Sequence, residues 1–89
     1  MIPKNIRRED ILKAISEIDK IGVPKSRLSR AHSVKYNECL YPPKYLLSLA
    51  NKFANGEELA PYLFSGGHET NDYLENLGFE IVHIHSHEI

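Results

Sequence analysis

Tyr41-Pro42-Pro43-Lys44-Tyr45-Leu46-Leu47-Ser48-Leu49-Ala50 decides the fold, because the chain changes periodicity within it. Before it, Cys39-Leu40-Tyr41 is a short β-prone run. Strand pairing must end by Pro42, since a proline has no N–H to donate to a ladder. Pro43 suits the first turn of a helix, where the missing N–H would have no partner anyway. From there Leu46, Leu49, Ala50 and Phe53 fall at i, i+3, i+4 and i+7, with Leu47 widening the stripe. That spacing puts one apolar face along a helix running from Pro43 to about Asn55, with Gly56 as its left-handed cap.

Working outward toward the amino terminus, Ser33-Val34-Lys35-Tyr36 and Cys39-Leu40-Tyr41 flank Asn37-Glu38 and read as a small hairpin, although Asn-Glu is a poorer turn than Asn-Gly. Residues 23–32 show no periodicity and form a basic connector. Before them, Ile11, Leu12, Ala14, Ile15 and Ile18 make the apolar face of a helix from about Arg8 to Ile21, stopped by Gly22 and Pro24. Toward the carboxyl terminus, Glu57 to Leu63 is a connector interrupted by Pro61. Ser65-Gly66-Gly67 then leads into a helix ending near Leu77, with Thr70, Tyr73, Leu74 and Leu77 inward and Gly78 as cap. Phe79 to Ile84 is a strand. The predicted class is α+β, with about three helices packed on a small three-stranded antiparallel sheet in the order α-β-β-α-α-β.

The 89 residues make one domain, too small for a catalytic domain with a separate cofactor module. A single cysteine, Cys39, excludes an internal disulfide framework and fits a reducing compartment. No apolar run approaches the roughly 20 residues that span a bilayer. Met1-Ile2-Pro3-Lys4-Asn5 has no signal-peptide apolar core, so the expected location is cytoplasmic, away from any membrane. The net charge of -1 conceals an asymmetry: residues 1–35 carry nine Lys/Arg against four Asp/Glu, and residues 36–89 carry two against eight. Lys25, Arg27, Arg30 and Lys35 have no acid between them, a patch that attracts polyanions, or else an ordinary solvated loop.

Tyr36, Tyr41, Tyr45 and Phe64 surround the two loop-to-helix corners. Aromatic faces there can stack on nucleobases while nearby cations hold phosphates; the competing reading is core or hairpin packing, strongest for Phe64 and Tyr73. Tyr45, at the margin of its helix stripe, is the better candidate for exposure. Lys44, with the free N–H groups of its helix turn, is a candidate phosphate contact or else an ordinary solvated lysine, and the glycine-bearing Ser65-Gly66-Gly67 corner is a second candidate. The latter lacks the Lys-Ser/Thr of a P-loop, so a tight structural turn competes with ligand binding. His83, His85 and His87 alternate and would share one face of a strand, but no accompanying ligand has a recognised metal spacing. Neither Cys39 nor Ser65 carries a local signature of an activated nucleophile, and the acids, Glu69 among them, read as solvated faces. No catalytic residue, metal or cofactor is expected of this chain.

The series Leu40-Tyr41-Pro42-Pro43-Lys44, Phe64-Ser65-Gly66-Gly67 and Leu77-Gly78-Phe79, within a pattern running from the first helix to the last strand, resembles a small module. Such modules stand ahead of HNH-type nuclease domains in modification-dependent restriction proteins of the McrA kind and related defence proteins. The resemblance implies a non-catalytic, amino-terminal DNA-recognition module, a candidate sensor of modified bases, with a nuclease or motor domain elsewhere in a longer polypeptide. On that implication Tyr41, Lys44 and Tyr45, with Ser65, Gly66 and Gly67, form or support the reading surface. Lys25, Arg27, Arg30 and Lys35 then track phosphates. The mild overall acidity departs from a typical DNA-binding domain. The alternative from another class is a protein-interaction or oligomerisation module using the same aromatics.

Overall fold

The chain changes from strand to helix between Pro42 and Pro43, as the periodicity requires. A computed structural model describes residues 1–29 and 31–83. Among them are helices α1 (Arg8–Ile21), α2 (Pro43–Asn55) and α3 (His68–Asn76), and strands β1 (His32–Tyr36), β2 (Cys39–Tyr41) and β3 (Glu80–His83). Their order is α1-β1-β2-α2-α3-β3, the predicted one. Lys25–Arg27 and Pro61–Leu63 add single 3₁₀ turns to the two connectors.

The sheet is antiparallel with β1 in the centre, β2 on one side and β3 on the other. Val34 lies opposite both Tyr41 and Ile81, whereas Lys35 lies opposite Leu40 and Glu80. Because side chains alternate along a strand, Val34, Tyr41 and Ile81 share the face turned to the helices. Val34 and Tyr41 are buried there, while Lys35, Leu40 and Glu80 are exposed on the other face. The hairpin turn holds Asn37 at φ 51° and Glu38 at φ 64°. Positive φ at both positions is what a tight hairpin requires. At Glu38 it costs about 1 kcal/mol relative to glycine.

The core is built mainly where α1 packs on α2. Ile11, Ala14, Ile15 and Ile18 meet Leu46, Leu47, Leu49 and Ala50, all buried, and Leu74 of α3 joins them. Truncating Leu46 or Leu49 to Ala should cost about 2–5 kcal/mol. Phe53 departs from the expected stripe: it is 37% exposed, near the carboxyl end of α2 beside a shallow groove that it lines with Lys13, Glu17 and Ile21 of α1. There Lys52 pairs with Glu17 at 2.7 Å and its Nζ sits 5.3 Å from the Phe53 ring centre.

The amino-terminal segment supplies two core residues that have no periodic signal, Ile2 and Ile6. It is tied down at several points. The Tyr73 hydroxyl lies 2.8 Å from the Ile6 carbonyl and 3.0 Å from that of Pro3. Asn5 and Asn55 exchange side-chain amide hydrogen bonds at 2.7 and 3.0 Å. Burial raises the Tyr73 pKa above its usual value.

Candidate nucleic-acid interface

At the first corner, Pro42 (φ −69°, ψ 122°) precedes α2 and its carbonyl accepts the Leu46 N–H at 2.9 Å. Pro43 has no N–H, so only the N–H groups of Lys44 and Tyr45 lack intrahelical partners at this end. The first turn contains no acid. Two cations lie over aromatic rings here. Arg27 Cζ is 4.9 Å from the Tyr45 ring centre, and Lys44 Nζ is 5.1 Å from that of Phe64. Tyr45 and Arg27 are half-buried. Arg27 Nη2 is shielded from solvent without a hydrogen-bond partner among the described residues. A guanidinium nitrogen in that state would gain from an oxygen acceptor.

Two adjoining grooves meet at this corner and share Ser29 and Lys44. One, of about 470 Å³, is lined by Arg27, Leu28, Pro42 and Pro61. The other, of about 250 Å³, is lined by His32, Gly66, Gly67 and Asn71. Neither is lined by an aspartate or glutamate. Ser29 keeps its loop closed by donating its hydroxyl to the His32 carbonyl. The connector, the start of α2 and the start of α3 are therefore brought into one electropositive surface.

The second corner is built differently. Gly67 sits at φ 64°, ψ −129°, a conformation that a Cβ strongly disfavours. Ser65 donates both its N–H, at 2.8 Å, and its hydroxyl, at 3.0 Å, to the Glu69 carboxylate. Its carbonyl accepts the Thr70 hydroxyl at 2.6 Å. The Ser65 N–H and hydroxyl hold Glu69 below its ordinary pKa, as donors to an ionised carboxylate do. Glu69, expected as a solvated face, thus acts as the resident anion of this helix start. The polar groups of Ser65 are already engaged. The cradle is left to the glycines and to Lys44, whose Cδ lies 3.9 Å from where a Cβ on Gly66 would stand.

The other candidate residues separate. Tyr41 is 4% exposed; its ring belongs to the core and its hydroxyl donates to Asp19 at 2.7 Å. Burial, then the Asp19 carboxylate, push that phenol well above its usual range. Tyr41 therefore underlies the surface instead of facing outward. Lys25 is exposed on the 3₁₀ turn that carries Arg27. Lys35 projects from the opposite face of the sheet, across from Glu80. Arg30, His85 and His87 lie outside the described residues. His83 is the cross-strand partner of His32, with ring centroids 4.4 Å apart. Among the described residues no group of three or more His, Cys, Asp or Glu is placed to hold a metal ion. Ser29 and Asn71 were not singled out from sequence. They stand 42 positions apart in the chain, and no local pattern joins them.

Fold and groove define a small α+β module that presents two helix starts and a basic connector on one surface. The chain belongs to the family of ScoMcrA-like N-terminal head domains, whose model matches residues 4–83. The resemblance to the amino-terminal module of McrA-type restriction proteins therefore holds over nearly the whole chain. No curated protein and no solved structure matches it. No helix among the described residues is long and apolar enough to cross a membrane.

Proposed function

We propose that this head domain is a non-catalytic DNA-binding specificity module that works in the cytoplasm with a nuclease or motor domain of a longer polypeptide. One observation carries the reading: Arg27 and Lys44, each over an aromatic ring, line adjoining grooves that no acid enters. A phosphodiester placed there meets the Arg27 guanidinium, the Lys44 ammonium and the free N–H groups of the α2 first turn. Lys25 extends the basic side of this surface, Tyr45 and the glycines border it, Ser65 closes its rim, and Tyr41 supports it from below. Lys35 provides a contact only for a strand that passes over the sheet.

The test is duplex binding across a salt series, with methylated and unmethylated sites compared. We expect the logarithm of affinity to fall linearly with the logarithm of salt, and its slope to shrink by about one for each of Arg27→Gln and Lys44→Gln. Absence of binding at low salt, or a slope indifferent to both changes together, overturns the proposal. If Tyr45→Ala removes a preference for a modified base while plain DNA still binds, the module senses modification.

A second reading, self-association, is favoured by the α1/α2 groove, where Ile21 is 75% and Phe53 37% exposed. Light scattering decides it: a mass that stays monomeric at all concentrations removes it.

A further inference from the structure

The most exposed aromatic ring of the described residues was not among the candidates. Tyr62 is 87% exposed and lies in the 3₁₀ turn Pro61–Leu63. That turn is held firmly. On its amino-terminal side Leu59 is buried, and its N–H donates to the Ser48 carbonyl at 3.0 Å. Ser48 returns a hydroxyl bond to the Leu59 carbonyl, and Asn51 donates to the Glu57 carbonyl at 2.8 Å. On its other side Phe64 is buried. Within it Leu63 N–H bonds the Ala60 carbonyl at 3.0 Å, and Pro61 fixes its own φ. The buried polar residues of α2 thus clamp the carrier of an outward ring, whose immobilisation on binding restricts only two side-chain torsions.

Position selects the occupant. Pro61, next to Tyr62 in the chain, lines the same groove as Arg27 and Lys44. Phe64, two residues further on, is the ring under Lys44. An exposed ring carried next to a groove that holds two cations and no acid suits a nucleobase attached to a phosphodiester. A protein contact patch, by contrast, is depleted of charge at its centre.

Building on the DNA-binding reading, we propose that Tyr62 is a base-stacking residue, receiving the face of one nucleobase while Arg27 and Lys44 hold the adjoining phosphates. The geometry has the parts of a single-strand platform or a wedge at a base step, namely an aromatic face and a cationic groove.

Two short duplexes test this, identical except that one carries an unpaired thymidine and the other an unpaired abasic residue at the same position. Binding is followed by fluorescence anisotropy at low salt. The wild-type domain should prefer the thymidine duplex by about tenfold. Tyr62→Ala should abolish the preference while leaving affinity for the abasic duplex unchanged, and Tyr62→Phe should keep it. Because the ring is exposed, Tyr62→Ala should melt with the wild type. Equal binding of both duplexes by the wild type, or a preference that survives in Tyr62→Ala, overturns the stacking role and leaves the DNA-binding reading intact. Failure to bind either duplex overturns both. If Tyr62→Ala converts a dimer to a monomer in light scattering and leaves the base preference in place, the ring belongs to a protein contact and the stacking role is overturned.

Discussion

The two loop-to-helix corners meet in space yet are made from opposite materials. The first, at Pro42-Pro43-Lys44, lacks two backbone donors and has a lysine in its opening turn with no acid to balance it. The second, at Ser65-Gly66-Gly67, is rich in flexible backbone but carries Glu69 in its opening turn, already bonded to Ser65. A helix start attracts anions through free N–H groups and the macrodipole. The first corner leaves that attraction unmet and adds to it with Lys44, whereas the second already carries the Glu69 carboxylate in its first turn. A glycine-rich turn before a helix is therefore not the better ligand site here.

The largest effect that should sharpen this contrast is on stability. Gly67→Ala forces a Cβ into a backbone conformation L residues avoid and should cost about 1–3 kcal/mol in denaturant unfolding. Gly66→Ala, whose added Cβ meets only Lys44 Cδ at 3.9 Å, should change stability by less than about 0.5 kcal/mol. Equal costs would mean that the second corner is not held by Gly67.

Next comes the support of the first corner. Tyr41→Phe removes the bond to Asp19 and should cost about 1 kcal/mol. The folded Tyr41 phenol is raised above its ordinary 10.0. Its contribution is thus fully present below pH 10 and lost as pH rises through the higher folded value. The phenylalanine variant should lose that part of the alkaline decline in a pH series of thermal melts.

The smallest effect is on binding and goes in opposite directions at the two corners. Lys44→Gln should weaken DNA binding, whereas Glu69→Gln should strengthen it about two- to fivefold by freeing the second helix start. The acid limb provides a check. Glu69 is held below its ordinary 4.5, so its contribution is present above that value and fades as pH falls through the lower folded one. Glu69→Gln should flatten that decline. Weaker DNA binding by Glu69→Gln would break the comparison.

Helix and strand positions were legible because apolar spacing and turn residues are local signals. α1 was read at both of its observed ends, and α2 and the hairpin within a residue or so. Phe53 fits the helical period but borders an open groove along α1, beside Lys13, Glu17 and Ile21. Period alone does not reveal how far a partner helix covers the edge of a stripe. At the site, Arg27, Lys44 and Tyr45 were recognisable by residue type. Their stacking across 18 and 20 positions of chain was not. Tyr41 illustrates the ambiguity of an aromatic residue at a strand end, which the register with Val34 resolves by turning it inward. Tyr62, between Pro61 and Leu63 in an aperiodic connector, has no sequence pattern to mark it.

The amino-terminal segment constrains how this protein folds. Ile2 and Ile6 are core residues, and the Tyr73 hydroxyl that meets the Ile6 carbonyl lies 67 positions away. Arg8 reaches the Leu77 carbonyl at 2.9 Å across 69 positions. Contacts between distant positions slow folding, because their loop must close before they contribute. During synthesis these isoleucines leave the ribosome well before the α3 residues that help to hold their segment. The α1–β1–β2–α2 portion can gather first, and the segment before α1, which also meets Asn55 of α2, completes its docking only once α3 exists. A nascent chain stalled before Tyr73 therefore presents the segment before α1 to chaperones and proteases without its α3 contacts.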